Sequence, residues 1–270
     1  MTRTGVTKLL MLIAMMCCLS VAVLAQRDER SLSCNDNDWN DGRKSHCEIK
    51  EMTISASGPV SVDARKNGGI SIKGWGRKEV LVRAKIQASA PTEDEAISIA
   101  RAISVETAGA QIRADGPATS RDRQWSVSYE IFVPRQSDLS LKAHNGGIGI
   151  AGVTGRIEFE TVNGGVSLKE LGGSVKGTTT NGGVSVVLSG NRWEGEGLDV
   201  KTTNGGVSLA IPENYSARLE TGTVNGGMNL GIPLTMEGEI KRELSVDLGS
   251  GGSPLRVRTT NGGISIKRRA

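Results

Sequence analysis

The tripeptide Asn-Gly-Gly occurs seven times in this chain, and several copies lie in closely related octapeptides such as TVNGGVSL and TTNGGISI. The steps between successive copies are 78, 18, 18, 23, 21 and 36 residues. A repeat of about 20 residues built from short segments is typical of a stacked array, in which each unit buries its apolar face against the next. The copies begin at Asn67, Asn145, Asn163, Asn181, Asn204, Asn225 and Asn261.

Apolar and polar residues alternate before most of these Asn residues. In the copy at Asn163, the run from Ile157 to Asn163 has Phe159 and Thr161 at the same parity as Ile157. Period-two alternation predicts a strand with one buried face, and the parity places Thr161 and Asn163 on that inward face. The inward parity reverses after the two glycines, which supply positive φ or allow close backbone approach.

Two structures fit an Asn-Gly-Gly segment between such runs. One is a two-residue hairpin turn, and the other is a solenoid corner with the Asn side chains stacked as an amide ladder. The near-constant spacing and the inward Asn favour the corner. We therefore predict an all-β fold, a β-solenoid-like or β-helix-like stack of ~18–23-residue repeats. The predicted ladder residues are structural, not catalytic: Asn145, Asn163, Asn181, Asn204, Asn225 and Asn261.

The composition agrees with thin stacked coils. Glycine accounts for 36 of the 270 residues and aromatic residues for only 3%, so the coil interiors would hold small and medium side chains. The net charge of +4 is too small for an electrostatic nucleic-acid footprint, and no nucleic-acid partner is expected. The basic cluster 267–269 is predicted to protect an exposed strand edge.

Residues 1–25 have the features of a secretory signal, with Arg3 and Lys8 before an apolar run that ends at Ala25. The alternatives are an uncleaved membrane anchor and a lipoprotein modified at Cys17 or Cys18. Cleavage would leave no membrane span and an exported protein, either periplasmic, outer-surface or extracellular.

Cleavage would also leave two cysteines, Cys34 and Cys47, and an even pair in an exported chain predicts a disulfide. The intervening loop resembles the start of a calcium-binding loop, with Glu48 as the closing ligand. However, its glycine and glutamate each fall one residue late for the twelve-residue pattern. Calcium binding by residues 34–47 therefore remains open, and no cofactor is predicted. The acidic-loop residues are Asp36, Asp38, Asn40 and Asp41.

The N-terminal β region departs from the repeat pattern in two places. The parity before Asn67 is opposite to that of later copies, so this copy needs a bulge or is a terminal, capping coil. Thr92 and Glu95 form a capping box that predicts a helix over about 92–104, with a strand as the alternative. The glycines at 249–252 suggest an additional coil. The predicted divisions are a signal peptide (1–25), a disulfide-stapled loop (26–50), an N-terminal β region with one helix (51–138) and the Asn-Gly-Gly repeat region (139–270). Residues 51–270 are predicted to form one continuous domain.

No catalytic motif is present in the sequence. Glu158 with Glu160, and Glu194 with Glu196, are the carboxylate pairs that could cleave a glycan. Exposed tryptophans could instead stack on sugars, and Trp193 is the candidate ligand contact because it lies in the insertion that lengthens one repeat. The other candidates are Trp75 and Trp125.

These elements together resemble a bacterial family. The order is ISIKGWGRKEVLVRA (70–84), a short helix, SVSYEIFVP (126–134) and the Asn-Gly-Gly ladders, over about residues 48–268. This order is similar to that of the Toastrack family, also catalogued as "putative adhesin" and as domain of unknown function 4097. The resemblance implies a β-repeat fold and offers no catalytic residues to transfer. It implies a cell-envelope or exported protein with an adhesion-like role. Together with the absence of catalytic motifs, this predicts a non-enzymatic, adhesin-like scaffold whose partner is an envelope protein or a polysaccharide. The alternatives are a polysaccharide-binding module, a glycan-active enzyme or an envelope-stress sensor domain.

Overall fold

The computed structural model describes residues 31–35, 42–55, 58–231 and 242–269. Over these residues the protein is all-β, with two ten-stranded mixed sheets and a short α-helix, α1 (Glu93–Arg101). Leu32–Ala270 forms one compact unit. The described residues contain no helix of the length and apolarity needed to cross a membrane.

Strands are numbered in chain order and fall into two sheets. The first sheet contains β1 (Lys44–Ser55), β3 (Ile70–Trp75), β4 (Glu79–Ala90), β7 (Gln124–Pro134), β9 (Ile148–Ala151), β11 (Val166–Lys169), β13 (Val184–Val187), β15 (Val207–Pro212), β17 (Met228–Gly231) and β20 (Ile264–Arg269). The second sheet contains β2 (Val60–Asp63), β5 (Ser104–Glu106), β6 (Gln111–Asp115), β8 (Leu139–Asn145), β10 (Thr154–Asn163), β12 (Gly172–Asn181), β14 (Gly197–Asn204), β16 (Ala217–Asn225), β18 (Glu243–Leu248) and β19 (Pro254–Asn261).

Each Asn-Gly-Gly segment joins a strand of the second sheet to a strand of the first, as between β10 and β11. The segment is therefore a corner and not a hairpin turn. We call such a pair of strands with its corner a coil. Successive coils pair in parallel and in register, so that Thr161 lies beside Thr179, and Val166 beside Val184. This arrangement is β-solenoid-like.

The core lies between the two sheets and consists of the inward residues of each coil. Ile157, Leu168 and Val200 are each at most 1% exposed. The interior accommodates the Phe159 ring because the residue beside it in the adjacent strand is Gly177. A Cβ at Gly177 would lie 2.3 Å from that ring, so glycine is the residue that fits here.

The coils do not stack in sequence order. The C-terminal coil, β19–β20, lies between β14–β15 and β16–β17. In the second sheet this order puts Arg256 between Asp199 and Glu220. Stacking in sequence order would instead bring Glu220 beside Asp199, and like charges directly opposite each other destabilise a sheet. The charges of this column therefore favour the observed order.

One prediction for the C-terminal region is wrong, and another is wrong in part. The glycines at 249–252 do not mark an additional coil, because they connect β19 to β18, an antiparallel strand at the edge of the second sheet. Of the basic residues 267–269, Lys267 does not lie at a sheet edge, because it pairs with Ala210 of β15 and Gly231 of β17. Arg268 and Arg269 pair with β15, and the described pairing with β17 ends at Lys267.

The N-terminal end of the stack is covered by other elements. β4 pairs antiparallel with both β1 and β7, and α1 contacts β1 and β4. The α1 helix starts as predicted, with Thr92 Oγ1 accepting a hydrogen bond from Glu95 N at 3.3 Å. It ends at Arg101, earlier than predicted, because β5 begins at Ser104. A disulfide joins Cys34 to Cys47 on β1.

Candidate functional site

The regular corners are built from the pattern Thr-x-Asn-Gly-Gly, in which the Thr, the Asn and the first Gly contact the neighbouring coil. Thr161 is 1% exposed, and its hydroxyl donates to Gly146 O of the preceding coil at 2.8 Å. The first glycine lies so close to that coil that a Cβ at Gly164 would be 2.1 Å from Gly146 O. In this copy the glycine therefore serves close backbone approach, and not a positive φ.

The Asn side chains form a continuous column along the corners. The Asn163 Nδ2 donates to Asn145 Oδ1 at 2.8 Å, and the Asn181 Nδ2 donates to Asn163 Oδ1 at 2.8 Å. The spatial order of the column is Asn67, Asn145, Asn163, Asn181, Asn204, Asn261 and Asn225.

The predicted inward orientation of these Asn residues is wrong. Thr161 is buried, but Asn163 is exposed. The strand alternation ends at Thr161, and the corner turns the following residues towards solvent. Because each amide bonds the next, the column is a structural clamp on the corners and has no reactive group.

The outer face of the second sheet carries a column of alternating charge. In register, Glu158, Lys176, Asp199, Arg256 and Glu220 lie side by side on successive strands. Opposite charges on neighbouring strands stabilise the pairing. The charges of this column therefore largely neutralise one another, which suits a solvated surface.

The predicted carboxylate pairs lie on exposed parts of the surface. Glu158 pairs with Arg156 at 2.9 Å, and Glu194 pairs with Arg192 at 2.8 Å. Glu160 lies beside Lys142 of the adjacent strand. These carboxylates have the surroundings of surface ion pairs, which contribute little to stability.

Trp193 lies in the core and is unavailable as a surface contact. It is 5% exposed, and its Nε1 donates to Gly173 O at 3.0 Å. Trp75 is half-buried, contacts the Phe132 ring at a centroid distance of 5.4 Å, and has Arg77 over its own ring. The insertion around Trp193 thus closes the core of its coil.

The irregular copy at Asn67 contains the bulge that its parity predicted. Asp63 pairs with Lys142, and Asn67 forms a bridge with Asn145. Three residues therefore lie between Asp63 and Asn67, opposite two on the partner strand. Arg65 occupies the left-handed region at φ 55°, a conformation that is unfavourable for a side chain of this size. The coil is not terminal, because β6 and β7 flank it on the outer side.

An open cleft of about 590 Å³ lies beside this bulge. The Arg65 guanidinium reaches across to Asp115, with which it forms an ion pair, and its Nε donates to Ala114 O at 3.3 Å. Asp63 Oδ1 accepts from Arg65 N at 2.8 Å. These contacts hold the left-handed residue in place and fix one wall of the cleft.

Trp125 and the loop after β6 contribute to the lining of the cleft. The half-buried indole is fixed by a hydrogen bond from its Nε1 to Pro117 O at 2.8 Å. The ring also packs on Gly116, where a Cβ would lie 2.9 Å from Trp125 Cε2. The remaining polar lining comes from Lys66, Asn67, Thr119, Lys142, His144 and Glu160.

A buried hydroxyl lies within electrostatic range of the cleft. Tyr129 is 1% exposed, and its hydroxyl has no hydrogen-bond partner in the part of the chain that the structure describes. Burial, together with the charges of Asp63 and Asp115, raises the pKa of Tyr129 above its ordinary value. A buried polar group without a partner is uncommon in folded proteins, and this one accompanies the irregular coil.

Sequence reasoning named Trp125 but did not find this cleft. The available signals were the parity mismatch before Asn67 and the glycine-proline pair that follows Asp115. Neither shows that the two segments meet, because 50 residues separate Arg65 from Asp115.

The proposed calcium ligands Asp36, Asp38, Asn40 and Asp41 lie outside the described residues. Within residues 31–35, 42–55, 58–231 and 242–269, no group of three His, Cys, Asp or Glu side chains is placed to hold a metal ion.

Comparisons with known proteins give one family match and several similar solved structures. The family described as Toastrack DUF4097 matches residues 65–267. A solved "putative cell adhesion protein" from Clostridium sporogenes is similar, with 15% identity and a TM-score of 0.44, over 84% of this chain and 100% of that one. A "putative adhesin" from Bacteroides fragilis is similar at 13% identity and a TM-score of 0.36, over 82% and 97%. No curated protein matches the chain.

Proposed function

Because the chain belongs to the Toastrack family, we propose that it is an exported, adhesin-like scaffold that binds a component of the bacterial cell envelope or surface. In this proposal the stack of ~18–23-residue repeats is a rigid body that presents a binding surface, and the protein has no enzymatic activity. The Cys34–Cys47 disulfide supports export, since disulfides persist in oxidising compartments.

The observation that carries the proposal is the open cleft of about 590 Å³ on the irregular coil. Ligand sites are typically clefts of ~300–1,000 Å³ with a few fixed polar groups and an aromatic lining. Here Trp125 and Arg65 are both held by hydrogen bonds to backbone oxygens. The parallel, in-register pairing of the neighbouring coils supplies a rigid support, which limits the entropy lost on binding.

Export can be tested on the full chain in its native cells by trapping free thiols at Cys34 and Cys47 and by protease digestion of intact cells. We expect Cys34 and Cys47 to be oxidised and the protein to be recovered outside the cytoplasm. Recovery of a reduced protein in the cytoplasmic fraction would contradict export.

Envelope binding can be tested by co-sedimentation of the exported protein with isolated envelope material. We expect saturable binding that depends on the native fold. The control is the same protein unfolded in urea. Equal sedimentation of native and unfolded protein would indicate non-specific adhesion.

A further inference from the structure

We propose that the cleft beside Trp125 binds a neutral saccharide. This inference rests on the proposed function and gives its ligand a chemical class. It depends on the charge balance of the cleft, on the hydrogen-bonding groups that line it, and on a fixed aromatic surface.

The ionisable groups of the cleft balance. Besides His144, its lining includes three carboxylates and three basic side chains. Lys142 lies in register between the carboxylates of Asp63 and Glu160, and Arg65 is paired with Asp115. A charged ligand would leave one charge uncompensated in this arrangement, whereas an uncharged ligand would not.

The lining also offers both donors and acceptors. Lysine and arginine donate only, ionised carboxylates accept only, and Asn67 and Thr119 can do both. Hydroxyl groups donate and accept at the same time, so a polyhydroxylated ligand can use both kinds of group.

The Trp125 ring supplies an apolar surface among these polar groups. Its hydrogen bond to Pro117 O and its contact with Gly116 fix its orientation. A rigid amphipathic ring gives contact area with little loss of side-chain entropy. The C–H face of a pyranose ring matches such a surface, and its equatorial hydroxyls would face the surrounding charged groups.

The test is a binding titration of the exported protein with neutral tetrasaccharides of glucose, mannose and N-acetylglucosamine, alongside a tetragalacturonate and isolated envelope material. We expect saturable binding of at least one neutral tetrasaccharide, and weaker binding of the charged one. Trp125→Ala should weaken that binding by about tenfold or more. The matched control is Trp75→Ala, which alters a half-buried tryptophan of the first sheet outside the cleft lining.

A second pair of variants covers the case in which Trp125→Ala does not fold. Lys142→Met should weaken saccharide binding, whereas Lys176→Met, on the same face but outside the cleft, should not. Binding of no neutral tetrasaccharide, preference for the charged one, or equal effects of the two lysine variants would overturn the proposal. Binding to envelope material without binding to any saccharide would refute only this inference. Binding to a saccharide without binding to envelope material would refute only the proposed function.

Discussion

The first Asn-Gly-Gly copy and the later ones show two uses of the same corner. In the later coils, as at Asn163, Asn181 and Asn204, the corner repeats with the same hydrogen bonds from one coil to the next. At Asn67 one additional residue is accommodated, Arg65 takes a left-handed conformation, and a cleft opens beside it. The Asn column nevertheless continues through both regions.

This difference separates the residues that support the stack from those that can be varied. In the regular coils the Thr, the Asn and the first Gly of Thr-x-Asn-Gly-Gly contact a neighbouring coil, so a change at these positions affects packing. In the irregular copy the pairing of Asp63 with Lys142 and the Asn column at Asn67 hold the two ends of the bulge, and Arg65 and Lys66 between them line the cleft. Local irregularity on a rigid support is the usual place for binding residues.

The largest expected effect comes from breaking a regular corner. Gly164→Ala places a Cβ 2.1 Å from Gly146 O, a backbone atom that cannot move alone. We expect a loss of about 3 kcal/mol or more in the free energy of unfolding. In the adjacent Gly165→Ala variant the nearest atom is Gly183 O at 3.6 Å, and the change should stay within about 1 kcal/mol. Urea titrations of both variants provide the measurement, and equal losses would contradict the close-approach explanation.

A smaller effect is expected from removing one hydroxyl of the Thr column. Thr179 is 2% exposed and donates to Gly164 O at 2.8 Å. Thr179→Val should reduce the free energy of unfolding by about 1–2 kcal/mol, because a buried carbonyl loses a partner. The control Thr178→Val alters an exposed residue on the outward face and should change stability by less than about 0.5 kcal/mol.

The column of Thr hydroxyls can be extended by one coil towards the irregular copy. Ala143 occupies the position equivalent to Thr161 in the register of β8 with β10. Ala143→Thr would present a hydroxyl to Gly68 O in the way that Thr161 does to Gly146 O. We expect a gain of about 0.5–1 kcal/mol in the free energy of unfolding. A loss in thermal or urea unfolding would show that the irregular coil does not follow the geometry of the others.

The smallest expected effect concerns the charge column. Arg256 hydrogen-bonds Glu220 at 2.7 Å, and this bond raises the pKa of Arg256 above its ordinary value. Arg256→Glu would put a carboxylate between those of Asp199 and Glu220, so that three lie in a row. We expect this change to lower the melting temperature, and by more at low salt than at high salt. Adding Glu220→Arg should restore part of the loss. If the melting temperature falls equally at low and at high salt, the result would contradict the argument that charge favours the observed coil order.

The sequence was sufficient to predict the corner, the all-β repeat fold, the helix start at Thr92 and the disulfide between Cys34 and Cys47. These features depend on local patterns: alternation, glycine placement, capping and the two cysteines that follow the predicted signal segment. It did not predict the coil order, because placing β19–β20 between earlier coils depends on contacts between residues far apart in the chain. The step of 36 residues before Asn261 was the available signal.

The functional residues show the same limit. Trp193 was chosen because it lies in an insertion, but a single apolar residue between Arg192 and Glu194 can also turn inwards and close a core, as it does here. The sequence identified Trp125 as a candidate ligand contact. The cleft that it lines, however, depends on the ion pair between Arg65 and Asp115, which lie far apart in the chain. Local sequence patterns do not contain that pairing.

The central claim is that the bulge creates the binding site while the column supports the fold, and deleting Arg65 tests it most directly. The deletion leaves two residues between Asp63 and Asn67, as in the partner strand, so the first copy becomes regular. We predict an unfolding free energy within about 1 kcal/mol of the parent, because the loss of an exposed ion pair is offset by removal of a left-handed residue. We also predict loss of tetrasaccharide binding in the same titration. A folded deletion variant that binds the tetrasaccharide with unchanged affinity would contradict the account.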